Sequence, residues 1–429
     1  MTASLKIPFP QGPCPADAVC VLCDRAQTPG EEGYTCPDHP DHPDEGILDV
    51  RYDYEAVDFS PETIASGPAS MWRYRALLPL PLDAEVPPLL VGWTPLYDSP
   101  RLATRLGVKR VLVKDETRQP TGSLKDRASA MAVSQARAMG LDVVAGASTG
   151  NAAAALAGMA ASVGMTCVIF VPSSAPQAKV AQLLAYGATV FLVDGSYDDA
   201  FDLCMAACRE RPWYNRNTGY NPFMCEGKKT AAFEIAEQMG WTVPDRVFVG
   251  VGDGCIIGGL HKGFTDLTRV GATDRMPKMM GVQAAGSDYL FQAWQKGEDL
   301  LAKPSIAAST VADSISAGLP RDRVKALRAV TETDGAYLRV QDEAILDAIP
   351  ILGRDTGVFA EPAAAASLAG ALAAAEAGML GADETVCLCV TGSGLKDVAA
   401  AVRACEGQNV APISTPKGEQ GLKTVLAAL

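Results

Sequence analysis

Arg110-Val-Leu-Val-Lys114, followed by Pro120-Thr-Gly-Ser-Leu-Lys-Asp-Arg127, decides how this chain is read. The first run is a short β-branched stretch of the kind that forms a buried strand. The second is a turn-rich loop leading into a helix-like span, Asp126–Met139. Strand, loop and helix recur along the chain. Val143-Val-Ala-Gly146, Thr166-Cys-Val-Ile-Phe-Val171, Thr189-Val-Phe-Leu-Val193, Arg246-Val-Phe-Val-Gly-Val251, Met279-Met-Gly-Val-Gln283 and Thr385-Val-Cys-Leu-Cys-Val390 read as further strands. Asn151–Val163, Gln177–Tyr186 and Ala363–Ala377 read as helices. This alternation predicts an α/β fold, with parallel sheets covered by helices on both faces. In such sheets ligands sit beyond the C-terminal ends of the strands, so chemistry is expected in the loops that follow strands.

The bulk properties restrict the partners. A chain of 429 residues, 48% apolar and 20% charged, is expected to be a soluble protein of two or more domains. Its net charge of −13, from 37 basic and 50 acidic residues, argues against nucleic acid or an anionic membrane, yet leaves room for a small anion in a locally positive site. Met1–Pro10 lacks a secretory pattern. The apolar run Ala152–Val171 opens mostly on Ala and contains Gly158 and Gly164, so it reads as a helix and a strand, not a membrane span. A cytoplasmic protein is expected, with its 12 cysteines as thiols or metal ligands.

Residues 1–50 differ from the rest, being rich in Pro, Asp and Cys. Cys20-Val-Leu-Cys23 and Cys36-Pro-Asp-His39 are spaced as a zinc knuckle requires, since each pair can close on one ion from a tight turn. His39, His42 and Cys14 compete for the fourth ligand position. The alternative is a metal-free ribbon or a docking arm. From about Tyr52 to Pro100 the chain is Pro-rich and irregular, which suits a segment wrapped over a domain.

Four loops carry the chemistry. In Pro120–Arg127, turn residues fix the exit of Lys125, and a buried lysine with a lowered pKa can form an imine with an aldehyde. Ala147-Ser-Thr-Gly-Asn151 follows a strand and opens a helix, so its amides and hydroxyls can hold a carboxylate. Gly250-Val-Gly-Asp-Gly-Cys-Ile-Ile-Gly-Gly259 can bring successive amides onto a phosphate. It lacks the GxGxxG spacing of a dinucleotide site. Val390-Thr-Gly-Ser-Gly-Leu-Lys-Asp397 offers a hydroxyl to a pyridine nitrogen. Singly, each has an ordinary reading as a solvated helix start, an N-cap or a turn.

Together with Gly92-Trp-Thr-Pro-Leu96, Val113-Lys-Asp-Glu116, Glu226-Gly-Lys-Lys-Thr230 and Phe359-Ala-Glu-Pro362, these loops resemble the fold-type II pyridoxal 5′-phosphate (PLP) enzymes, most nearly the threonine synthase family. The resemblance spans roughly residues 90–400 and implies a two-domain, tryptophan synthase β-like architecture. A large PLP-binding domain would comprise residues 51–125 and 216–429. A small mobile substrate domain would comprise 126–215, with PLP between the two. The resemblance also implies a homodimer and a small amino-acid substrate. Lys125 would be the Schiff-base lysine and proton shuttle. Asn151 would contact the PLP 3′-oxygen, and Thr391 would face the ring nitrogen. Ser148, Thr149, Gly150 and Asn151 would hold the substrate carboxylate. The amides of Gly252, Asp253, Gly254, Cys255 and Ile256 would bind the cofactor phosphate.

Departures from the family bear on the substrate. Gly219 and Met224 stand where the resemblance expects a Ser hydroxyl and an Arg guanidinium on a substrate phosphate, a loss of about 1.5–3 kcal/mol for the charge-assisted contact. Arg216, Lys228 and Lys229 are the nearby cations, though the two lysines also read as surface charges. Asp253 would repel a second phosphate, and Leu124 replaces a common Phe. Two readings result: conversion of O-phosphohomoserine and water to threonine and phosphate, or elimination by a serine/threonine dehydratase or diaminopropionate ammonia-lyase-like enzyme. A cysteate synthase-like β-replacement belongs with the second. Retention of the lysine and the anion loops argues against a non-catalytic binding protein. His261 and Cys255 read as structural and buried.

Overall fold

A computed structural model describes residues 12–14, 16–27, 34–39, 47–175, 177–408 and 410–428. Among them the strands are β1 (Ala16–Cys20), β2 (Ala26–Gln27), β3 (Leu48–Tyr52), β4 (Leu96–Asp98), β5 (Arg110–Asp115), β6 (Val143–Ala147), β7 (Thr166–Pro172), β8 (Thr189–Val193), β9 (Tyr214–Asn215), β10 (Arg246–Gly250), β11 (Lys278–Ala284), β12 (Ala336–Val340) and β13 (Thr385–Val390). They form a six-stranded sheet in the order β12-β11-β10-β13-β5-β4, a four-stranded sheet β8-β7-β6-β9 and a small sheet β2-β1-β3. The four-stranded sheet is parallel throughout. In the six-stranded sheet only the edge strand β4 runs antiparallel to its neighbour. The small sheet is antiparallel, and β3 crosses the expected 50/51 boundary.

The large sheet's strands read as unbroken apolar runs because both faces are buried. Leu112, Val247, Val249, Met279, Cys387 and Cys389 point into one core, shared with Ile257, Leu260 and Phe264 of the helix Cys255–Arg269. Their neighbours Val111, Val113, Phe248, Met280, Val386 and Leu388 point into a second core, under the Ala-rich helix Pro362–Glu376. This is the alternation of a strand with helices on both sides. The Ala-rich composition permits close packing: a Cβ on Gly250 would lie 2.3 Å from the Ala363 carbonyl oxygen.

The apolar run after Ala152 folds as the helix Asn151–Ser162 and strand β7. No helix among the described residues is long and apolar enough to cross a membrane. The loops after β5, β6, β10 and β13 all leave the C-terminal ends of parallel strands.

Candidate active site

The helix Lys125–Ala138 begins at Lys125, and the loop before it is fixed by backbone and side-chain bonds. Asp126 accepts from the Thr121 hydroxyl at 2.5 Å and the Thr121 amide at 2.7 Å, while burial pushes its carboxyl up to about 6. The Leu124 amide donates to the Thr391 carbonyl at 2.9 Å, and Ser393 N–H donates to the Gly122 carbonyl at 2.9 Å, so the first and fourth loops are paired. One turn into the protein, Arg127 donates to Glu116 at 2.7 Å and to Glu234 at 2.5 Å, and Lys114 donates to Glu234 at 2.7 Å. All four side chains are fully buried. Two cations and two anions therefore balance, which is the condition for tolerating such a network in the interior.

Lys125 opens onto a cavity of about 610 Å³, within the usual size of a cofactor site. Ser148, Thr149, Gly150, Asn151, Gly252, Asp253, Gly254, Cys255 and Ile256 line the same cavity. Burial, followed by the nearby Lys228 ammonium, pulls the Lys125 amine down to about 8. Thr391 is buried but is not among the lining residues; it fixes the approach to Lys125 through its carbonyl.

Three helices begin at the cavity without a side-chain cap. In the one starting at Lys125, the Asp126 and Arg127 amides donate to the Ser123 and Leu124 carbonyls. That leaves Asn151–Ser162, with Gly150 at its N-cap, and Cys255–Arg269, with Gly254 at its N-cap. Their first-turn amides are therefore open to an anion. Gly254 has a φ of +94°, and a Cβ there would lie 2.9 Å from the Asp322 carbonyl oxygen, so this position accepts only glycine without strain.

Two further cations stand on the cavity wall. Arg216 follows the short strand β9 and is 3% exposed; Lys228, on the helix Phe223–Gln238, is 1% exposed. Gly259 makes room for Lys228, since a Cβ there would lie 2.9 Å from Lys228 Cβ. Arg216 Nη1 donates to Thr218 at 3.2 Å, but its Nε and Nη2, and Lys228 Nζ, have no partner among the described residues. Burial lowers the Arg216 guanidinium only to about 10, so it stays charged at neutral pH. A buried cation left unpaired costs several kcal/mol. The open amides fit the phosphate of a phosphorylated aldehyde cofactor and a carboxylate, and the two cations fit a further anion.

The structure corrects the sequence reading at several positions. Lys228 and Lys229 are both buried, not surface charges. Lys229 lies away from the cavity, bonded to Glu226 at 2.5 Å and Asp266 at 2.7 Å. Met224 is packed in the core. Gly219 makes room for Arg321, because a Cβ at Gly219 would meet Arg321 Cβ at 2.4 Å. Asp253 is engaged by the Arg321 amide at 3.3 Å, and burial pushes its carboxyl up. Burial also pulls His261 down to about 4 and pushes the Cys255 thiol up, leaving both neutral at neutral pH.

Tyr197, Arg321 and the wall from Ser305 to Leu319 belong to the cavity but were not singled out from sequence. The signal available for the wall is Pro304-Ser-Ile-Ala-Ala-Ser-Thr-Val-Ala-Asp-Ser-Ile-Ser-Ala-Gly-Leu-Pro320, a long stretch without periodicity, and such loops are commonly functional. Elsewhere, Cys20, Cys23, Cys36 and His39 bring their ligand atoms within 4.8 Å of one another. Cys14 instead donates to the Asp53 carbonyl at 3.1 Å, and His42 lies outside the described residues.

Residues 88–392 match the family described as "Pyridoxal-phosphate dependent enzyme". Threonine synthase of Methanocaldococcus jannaschii is 39% identical over 391 residues, covering 90% of this chain and 94% of that protein. Threonine synthase of Methanosarcina acetivorans is also 39% identical, over 91% and 95% of the two chains. The solved structure of diaminopropionate ammonia lyase from Escherichia coli, with aminoacrylate-PLP, has a TM-score of 0.63 at 23% identity, covering 74% and 88%. Threonine deaminase isoform 2 from Solanum lycopersicum has a TM-score of 0.63 at 23% identity, covering 73% and 82%. The last two share the fold.

Proposed function

We propose that this chain, which belongs to the pyridoxal-phosphate dependent enzyme family, carries its cofactor on Lys125 and converts O-phosphohomoserine and water into threonine and phosphate. The observation that carries the reading is the pair of buried cations on the cavity wall, Arg216 and Lys228, of which Arg216 Nε and Nη2 and Lys228 Nζ have no partner among the described residues. The open helix amides suffice for two anions, the cofactor phosphate and the substrate carboxylate. A third anion is what the cations await, and a phosphate leaving group supplies it. The two relatives that are 39% identical are named for this activity.

The residues divide the work as follows. Amides from Gly252 to Ile256 would hold the cofactor phosphate and Asn151 its ring oxygen, while Thr391, which pairs with the Lys125 loop through its carbonyl, would turn its hydroxyl to the ring nitrogen. Ser148, Thr149, Gly150 and Asn151 hold the substrate carboxylate. Bound PLP supplies an electron sink for charge developing on the substrate. Lys125, with its amine near pKa 8, takes and returns protons on the substrate carbons. Arg216 and Lys228 stabilise the departing phosphate. Residues 126–215 close over the substrate and exclude bulk water.

The competing reading is β-elimination from serine, threonine or diaminopropionate, which needs no third anion. The position of Met224 in the core favours it. Assaying holoenzyme with O-phospho-L-homoserine, L-serine, L-threonine and diaminopropionate separates the two. Threonine and phosphate from the first substrate support the proposal. Ammonia and a 2-oxo acid from the others, with no turnover of the first, overturn it.

A further inference from the structure

We propose that Cys20, Cys23, Cys36 and His39 bind one zinc ion in a tetrahedral site, and that this ion holds the N-terminal ribbon against the helices behind the cofactor loop. The inference stands apart from the choice of substrate and fails or survives independently of it.

The ligand geometry comes first. Cys23 Sγ and Cys36 Sγ are 3.8 Å apart. That is the edge of a tetrahedron built on zinc–sulfur distances of about 2.3 Å, roughly 3.8 Å, and far beyond a disulfide bond. All four ligand atoms lie within 4.8 Å of one another. Each pair sits on a tight turn. Cys20 N–H donates to the Arg25 carbonyl at 2.9 Å, Asp24 N–H to the Cys20 carbonyl at 3.0 Å, and Leu22 N–H to Cys20 Sγ at 3.4 Å. On the other turn, His39 N–H donates to the Cys36 carbonyl at 3.1 Å. The Arg25–Asp38 ion pair, at 2.6 Å, links the two turns from outside. Three thiolates and an imidazole in this arrangement select zinc over the hard cations that prefer oxygen.

The packing gives a reason for the ion. The ribbon's own core cluster consists of Ala18, Cys20, Cys36 and Leu48, so half of that cluster is made of ligands. A core this small does not hold a fold without a staple. The ribbon is also tied to the rest of the chain through its backbone. Lys325 Nζ donates to the Leu48 carbonyl at 2.7 Å, and Arg328 donates at 3.3 Å to the carbonyl of Val21, which lies between two ligands. Both side chains come from the helix Arg323–Thr331, which packs on the helix Cys255–Arg269, whose first turn lines the cavity. The zinc site is thus a structural clamp behind the cofactor loop.

The test is metal analysis of purified holoenzyme, followed by cobalt replacement. One zinc per chain is expected. The cobalt protein is expected to show the intense visible bands of a tetrahedral ion and a thiolate charge-transfer band. Cys23 is exposed, so Cys23→Ser removes a ligand without opening the core; it is expected to lose the ion or bind it at least tenfold more weakly. His39→Cys keeps four ligands and is expected to retain one zinc with a stronger charge-transfer band. No zinc bound after exposure to the metal overturns the proposal, as do a disulfide among the three cysteines and an unaltered cobalt spectrum in both variants.

Discussion

Asn151 Nδ2 donates to Glu361 Oε1 at 2.7 Å, and both residues are buried. Asn151 follows β6 of the four-stranded sheet, whereas Glu361 stands at the N-cap of the helix covering the six-stranded sheet. One hydrogen bond therefore spans the two sheets beside the cofactor cavity. Gly392 closes the arrangement: a Cβ there would lie 2.3 Å from Glu361 Oε1, so the fourth loop passes directly over the pair.

Replacing Glu361 by Ala leaves the Asn151 amide short of its acceptor, a loss of about 1–3 kcal/mol. Cofactor titration of the folded variant should show roughly tenfold weaker PLP binding. Glu361→Gln preserves an acceptor and should remain near the parent. Equal affinity in the Ala variant would show that the bond does not position Asn151.

Borohydride reduction of the holoenzyme, followed by peptide mass mapping, should place the fixed cofactor on Lys125. Lys125→Ala should lose both the reducible absorbance band and turnover. A modified lysine elsewhere would sink the assignment.

Arg216→Met and Lys228→Met should each lower kcat/KM for O-phosphohomoserine about 10- to 100-fold, the loss of ~1.5–3 kcal/mol per charge-assisted contact. Bound cofactor should be retained. Loss of cofactor with either change would assign that cation to the cofactor phosphate instead.

The Lys125 amine, lowered to about 8, sets a pH dependence. Below this value it is protonated and cannot attack an aldehyde, so the rate of PLP capture by apoprotein should rise with pH through about 8. The stability sign follows: the unfolded chain binds the extra proton between about 8 and the ordinary lysine value near 10.4, so this group makes apoprotein stability rise with pH across that window. A capture rate flat from pH 6 to about 10 would contradict the lowered value.

Arg127→Met should destabilise the fold by about 3–5 kcal/mol, because Glu116 then keeps no ion pair among the described residues and Glu234 keeps only Lys114. Chemical denaturation of apoprotein reads this directly. A loss below about 1 kcal/mol would mean that water or rearrangement compensates the carboxylates.

Much of the fold was legible because strands buried on both faces leave long apolar signatures. The runs at Arg110, Val143, Thr166, Arg246, Met279 and Thr385 became strands with buried faces, whereas the run at Thr189, expected to be buried, became the edge strand β8 with Phe191 and Leu192 exposed. What escaped was short or one-sided. β9 has only two residues, too few to show a period, and β12 lies at a sheet edge with Arg339 exposed. The loops around Lys125, Ser148 and Gly252 were legible because glycine and hydroxyl residues after a strand announce an anion site, and they do line one cavity. Arg216 and Lys228 could be named but not ranked against Lys229. Adjacent lysines on one helix differ only in what the fold packs beside them, and here Gly259 faces Lys228 while Glu226 and Asp266 neutralise Lys229.

The central claim is tested most directly by turnover of O-phospho-L-homoserine in water enriched in heavy oxygen. The account predicts threonine and phosphate in equal amounts, with the label in the threonine hydroxyl and none in the phosphate. Label in the phosphate with homoserine as co-product, or no turnover by PLP-loaded protein, would contradict it.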